Sequence, residues 1–197
     1  AAFVDWGRFK KIMQNSFDAL LLTAILVVVT VWFFAGPMID LVKGKQNYLD
    51  SPALLQILIF AAGTIFLGTL FGYAVVAVNQ QKAMIKGYLL GAVVGLILYF
   101  ALIPRFGYWG AAFGTVVAEI VVCVFGYALV RKTSKQKLSL SILLPAFPAI
   151  LILILFFKFV EVQWILEIVI GGGFYILALV LFGAIPRKLV EEITFQQ

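Results

Sequence analysis

An all-α membrane protein of six transmembrane helices is the fold class this sequence predicts, on three observations. Hydrophobic residues fill 64% of the 197 positions and charged residues only 12%, with a mean hydropathy of +1.11. That balance lies outside the range of soluble domains. Apolar runs recur at about the 20-residue length that an α-helix needs to cross a bilayer core. Between them lie short loops that hold most of the basic residues. The runs are continuous, without the ten-residue alternation of an outer-membrane barrel, so strands are not expected.

Residues 1–16 read as an interfacial, partly helical lead-in, with Trp6 and Phe9 beside Arg8, Lys10 and Lys11. The first span covers about Phe17 to Ile39, and Gly36-Pro37 kinks or ends it near its far side. After the loop at 40–52, Ser51-Pro52 starts a second span of about Ala53 to Val78. NQQKAMIK is a short basic loop. The third span then reaches Ile103, with Gly87, Gly91 and Gly95 on one face. The fourth covers about Tyr108 to Val130 and ends at RKTSKQK, the most basic loop. The fifth, about Leu140 to Val160, carries Pro145 and Pro148 early. The sixth, about Trp164 to Ile185, carries Gly171-Gly172-Gly173 at mid-depth. Prolines and glycines at such depth predict broken helices, which protein or water must line. The organisation expected is thus a lead-in (1–16), four helices (17–132), a basic loop (133–139), and a terminal helix pair with a short tail (140–197).

Six spans make the loops alternate between two sides. Arg8, Lys10, Lys11, Lys82, Lys86, Arg131, Lys132, Lys135, Lys137, Arg187 and Lys188 fall on one side, and only Lys43, Lys45, Arg105 and Lys158 on the other. The positive-inside rule therefore places both termini of the chain in the cytoplasm, and the protein is expected in the cytoplasmic (inner) membrane. The net charge of +6 is spread over loops that meet lipid headgroups, not gathered on one face, so no nucleic-acid partner is expected. The chain has no histidine and a single cysteine, Cys123, within an apolar run. Metal sites of His/Cys type and an intrachain disulfide are excluded. Neither a phosphate-binding glycine loop nor a nucleophile elbow is present, so no cofactor and no enzymatic activity are expected. The chain begins at Ala1, where an initiator Met is expected, and reads as the end of a longer protein.

The stretch LIPRFGYWGAAFGTVVAE, residues 102–119, concentrates the features that bear on function. Pro104 and Gly107 reverse the chain, and Tyr108 and Trp109 suit the membrane–water interface. Gly110 and Gly114, four apart, and Ala118 after them form a small-residue ridge for close helix approach. Glu119 is the most deeply placed acid. A carboxylate at mid-span costs on the order of 3 kcal/mol to insert, so it must face protein or a water-filled cavity. Two roles fit it equally: a coupling or substrate-cavity group, or an interhelical hydrogen bond. Thr115 and Cys123, one turn to either side, complete a weakly polar stripe. Arg105 in the outer turn suits bidentate contact with a phosphate or sugar acid, or simple interfacial anchoring. Lys158, Glu161 and Glu167 read as side chains that snorkel to water, and Asp18 as an acid at a helix start. Gly91, Gly95, Gly110, Gly114 and Gly172 are the packing or hinge glycines.

The same stretch, preceded by AVVAVNQQKAMIKGYLLGAVVGLILYFALIP, resembles the polysaccharide or lipid-linked oligosaccharide flippases of the multidrug/oligosaccharidyl-lipid/polysaccharide exporter superfamily. The likeness runs from about Asp5 to Lys132, more weakly beyond. It implies two six-helix bundles, of which the first four spans here resemble the last four helices of the second. The last two spans then resemble a terminal pair. It also implies alternating access, a polyprenyl-diphosphate-linked glycan as substrate, and proton or sodium coupling. In this family the helix before Leu-Ile-Pro often carries asparagines, where this chain has Gly95 and Tyr99. Basic cavity residues for a diphosphate are not evident within the spans. Two other readings stand beside the flippase: a multidrug or cation antiporter of the same superfamily, and a six-helix structural subunit with no transport path.

Overall fold

The computed structural model describes residues 6–43, 49–160 and 162–185. Among them are six helices and no strand: α1 (Trp6–Lys43), α2 (Ser51–Ala77), α3 (Gln81–Phe106), α4 (Tyr108–Ser134), α5 (Leu143–Phe159) and α6 (Trp164–Leu181). All but α5 are long and apolar enough to cross a membrane. At 17 residues, α5 is about 25 Å long by the helical rise. The chain is an all-α membrane protein. Lys45, Glu161, Arg187 and Lys188 lie outside the described residues, as does the tail after Ile185.

Two compact units divide at Leu138, the first holding α1–α4 and the second α5 and α6. In the first unit, α2 packs on both α1 and α4, and α4 packs on both α2 and α3. By contrast, α2 and α3 scarcely touch. The described residues of the lead-in, from Trp6 onward, are helical and continue directly into the first span as the first turns of α1. Met13 and Phe17 of α1 are buried in one cluster with Phe71, Ala74 and Val75 of α2, Met84 of α3 and Val130 of α4. This cluster ties the four helices together at the end that carries Lys82, Lys86, Arg131 and Lys132, here called the basic end.

Pro37 lies inside α1, and the bend it causes appears three residues earlier. Phe34 has non-helical angles (φ −105°, ψ 15°). Pro37 has no N–H for the carbonyl of Phe33, and its ring crowds that turn. Beside the bend, Gln56 of α2 donates from Nε2 to the Trp32 carbonyl at 2.8 Å, and the Trp32 and Phe60 rings meet edge to face.

A single residue, Gly107, separates α3 from α4. Pro104 and Arg105, expected in the turn, are instead the last turn of α3. Gly107 has φ +56° and ψ −133°, a conformation essentially closed to residues with a Cβ. Its N–H donates to the Ile103 carbonyl at 2.8 Å, and α4 begins at once. At the opposite end the α2–α3 turn places Asn79 at φ +60°, which a short polar side chain tolerates. The basic loop NQQKAMIK is therefore mostly helix, because α3 starts at Gln81.

A turn this tight lays α3 and α4 side by side, and small residues set their separation. A Cβ on Gly87 would lie 2.3 Å from the Phe125 ring, one on Gly91 2.3 Å from Val122, and one on Gly95 3.4 Å from Ala118. From the other side, a Cβ on Gly114 would lie 2.9 Å from the Tyr99 ring, and one on Gly110 2.5 Å from the Leu102 backbone. One small residue per turn meets a larger neighbour along the whole seam.

In the second unit, α5 runs through Pro148 and α6 through all three glycines without a break. Pro145 sits in the first turn of α5, where its missing N–H costs nothing. Only Gly171 of the triplet is a contact: a Cβ there would lie 2.4 Å from Phe157. Gly172 has nothing within 4 Å of its Cβ position. Phe156 and Phe174 pack ring on ring at 5.5 Å beside it.

Candidate functional site

Because α4 packs on two helices that barely touch each other, it forms the floor of a groove between them. Glu119, Val122 and Cys123 line this floor. On the α2 wall stand Thr64, Gly68, Gly72 and Val76, four apart and therefore on one face, with Ile65, Thr69 and Tyr73 beside them. Tyr88 of α3 closes the other side. The groove holds about 400 Å³ and reaches toward the basic end. Glu119 is half-buried in it, eleven residues past Tyr108 and hence roughly 16 Å along the helix from the hairpin turn.

The hydroxyls facing the groove are already oriented. Thr64 donates to the Phe60 carbonyl and Thr69 to the Ile65 carbonyl, both at 2.9 Å. A threonine has one proton, so each presents only lone pairs beyond its own helix. Gly68 and Gly72 have nothing within 4 Å of their Cβ positions, so they widen the groove instead of seating a helix. Together the wall offers a carboxylate, two acceptor hydroxyls and two phenol rings. None of the described residues lining it is basic.

Thr115 sits outside this lining. Its hydroxyl donates to the Ala111 carbonyl at 3.0 Å and lies 2.9 Å from the Tyr99 hydroxyl. With its single proton engaged, it receives the one from Tyr99, which ties α3 to α4 within the seam. Cys123 does share the groove with Glu119, as one turn of spacing predicts. Arg105 is exposed in the last turn of α3, at the far end of α4 from the groove. At that end Tyr108 donates to Asp50 at 2.5 Å, linking the starts of α4 and α2 in a contact no local sequence pattern announces. Gly91, Gly95, Gly110 and Gly114 all lie in the α3–α4 seam.

Two side chains depart from their expected surroundings, and a third meets them. Asp18 is three turns inside α1, because the helix starts at Trp6, and accepts from Gln14 Nε2 at 2.8 Å. Glu167 is only 6% exposed and so does not snorkel; it lies on the α6 face that carries Gly171 and Tyr175, one turn before the glycine. Lys158 is exposed as expected, with its ammonium 5.6 Å from the Phe159 ring. Thr64, Thr69, Tyr73 and Tyr88 are groove residues that the sequence reading passed over. The four-apart run Thr64, Gly68, Gly72 and Val76 was the available signal.

A second groove, of about 300 Å³, lies between α1 and α2 and is lined by Leu21, Ala24, Val28, Phe60, Gly63 and Leu67. It is apolar apart from Thr64, which it shares with the first.

No family model matches the chain, and no solved structure matches it. A curated protein of Shigella dysenteriae, named "Putative O-antigen transporter", is 27% identical to it over 93 residues. That stretch covers 47% of this chain and 24% of the relative, so the chain spans about a quarter of the length of the curated relative it matches. This chain is a multi-pass helical membrane protein distantly similar to a protein named for O-antigen transport.

Proposed function

We propose that this chain is the C-terminal part of a flippase in the cytoplasmic membrane. It moves a polyprenyl-diphosphate-linked glycan between leaflets by alternating access, driven by protons or sodium. In this reading α1–α4 correspond to the last four helices of the second bundle of a transporter of the multidrug and polysaccharide exporter type. α5 and α6 are its terminal pair, and both ends of the chain face the cytoplasm. The observation that carries the reading is the conjunction of the O-antigen transporter likeness with a mid-span carboxylate in an open groove. An intramembrane acid facing a cavity is a functional site by default, and Glu119 is the coupling or substrate group.

The absence of basic residues among the described groove lining favours a second reading, a multidrug or cation antiporter of the same architecture. Reconstitution of the full-length protein separates the two. Glu119→Gln abolishes ion-coupled glycan transport while the melting temperature in detergent stays at the wild-type value. Unchanged transport in that variant removes Glu119 from the mechanism. Exchange of small organic cations, with no glycan movement, establishes the antiporter.

A further inference from the structure

We propose that the Glu119 groove is a charge-selective head-group site: it holds a neutral or amino sugar ring through that ring's O–H and N–H donors and turns away anionic rings. The identity of the physiological ligand as a glycan rests on the transport reading above; the chemistry of the groove does not.

The argument starts from the protons. Thr64 and Thr69 spend theirs on their own helix, so both hydroxyls face the groove as acceptors. Glu119 adds a carboxylate on the floor, and none of the described lining residues brings an ammonium, guanidinium or amide group. With the two tyrosine hydroxyls as its only strong donors among the described lining residues, a surface so rich in acceptors pairs with a ligand rich in donors, which a sugar ring is on its hydroxyl edge. The aromatic rings of Tyr73 and Tyr88, one from each wall, offer the flat apolar surfaces on which the C–H faces of a sugar pack. Both rings are largely exposed, at 74% and 55%, and so are accessible to a ligand.

The volume fits a head group and little more. At about 400 Å³ the groove is near the lower end of the range of small-molecule sites. Gly68 and Gly72 keep it that wide. A phosphate or uronate here would meet the Glu119 carboxylate with no cation to offset the repulsion. The diphosphate of a lipid-linked substrate is therefore held elsewhere, and this groove reads the glycan.

Three octyl glycosides with the same chain test this: the glucoside (neutral), the glucosaminide (cationic) and the glucuronide (anionic). The full-length protein, with any cysteine outside these 197 residues replaced by serine, is placed in lipid nanodiscs, and labelling by a small maleimide is timed at two reporters. One is Cys123, the only cysteine of the chain and part of the groove floor. The other is Val76→Cys in a Cys123→Ser background, at the exposed rim. The glucoside and glucosaminide slow labelling several-fold, and the glucuronide does not. Glu119→Gln lets the glucuronide protect as well. Equal protection by all three in the wild type, or by none, overturns the proposal. Protection by sodium alone assigns the groove to an ion, and a maleimide that reaches neither cysteine shows that it is not open. A head-group preference without glycan transport keeps the site and removes the flippase reading. Transport without the preference does the reverse.

Discussion

Two rows of glycine look alike in the sequence and do opposite things in the fold. Gly87, Gly91 and Gly95 on α3 recur every four residues, as do Gly68 and Gly72 on α2. On α3 a Cβ at either of the first two positions would fall 2.3 Å from a side chain of α4. On α2 a Cβ would meet nothing within 4 Å. One row brings a helix in, and the other holds a groove open. Small residues at regular spacing thus report a constraint on volume without saying whether protein or ligand imposes it.

Substitution at the seam breaks this contrast most strongly. Gly110→Leu drives a side chain against the Leu102 backbone, which cannot rotate aside, and destabilises the unit by about 3 kcal/mol or more, toward the upper end of overpacking costs. Gly114→Leu costs somewhat less, because its nearest neighbour is the Tyr99 ring, which has rotamer freedom. Thermal melting in detergent measures both, and wild-type melting in either would show that the helices do not approach as closely as described. A smaller effect is expected from Tyr99→Phe, which removes the hydrogen bond to Thr115 and leaves the ring in place. The loss is about 1 kcal/mol, and a Thr115→Val, Tyr99→Phe double variant should cost less than the sum of the two singles. Least is expected from Gly68→Ala and Gly72→Ala. Their methyl groups enter open space and helix propensity favours alanine, so the melting temperature stays level or rises. A marked fall would mean that another helix occupies the groove.

Much of the fold could be read directly because the bilayer simplifies the problem. Backbone groups in hydrocarbon must bond within their own segment, so a long apolar run is a helix almost regardless of its residues. The sharp hairpin and the α3–α4 ridge were also legible, since Gly107 and the four-apart glycines are local signals. Which member of a triplet packs was not. Gly171 and Gly172 differ only by a 100° rotation about α6, and that rotation is set by Phe156 and Phe157 on another helix. The effect of Pro145 depends on where the helix begins, which no local pattern fixes, and Pro148 stands inside α5 without breaking it. Glu119 could be singled out by depth alone, but its neighbours could not. Thr64, Thr69, Tyr73 and Tyr88 reach it only because α4 seats itself between two other helices. Thr115 went the other way, one turn from Glu119 in sequence and yet committed to Tyr99 in the seam.

The one-residue turn at Gly107 also bears on how the protein is made. With no slack between them, α3 and α4 are not delivered to the bilayer as independent segments. The second emerges while tethered directly to the end of the first, and their register is fixed by connectivity before any side chain packs. Glu119, whose carboxylate is costly to place in hydrocarbon, consequently enters the membrane joined to a companion helix through a single residue.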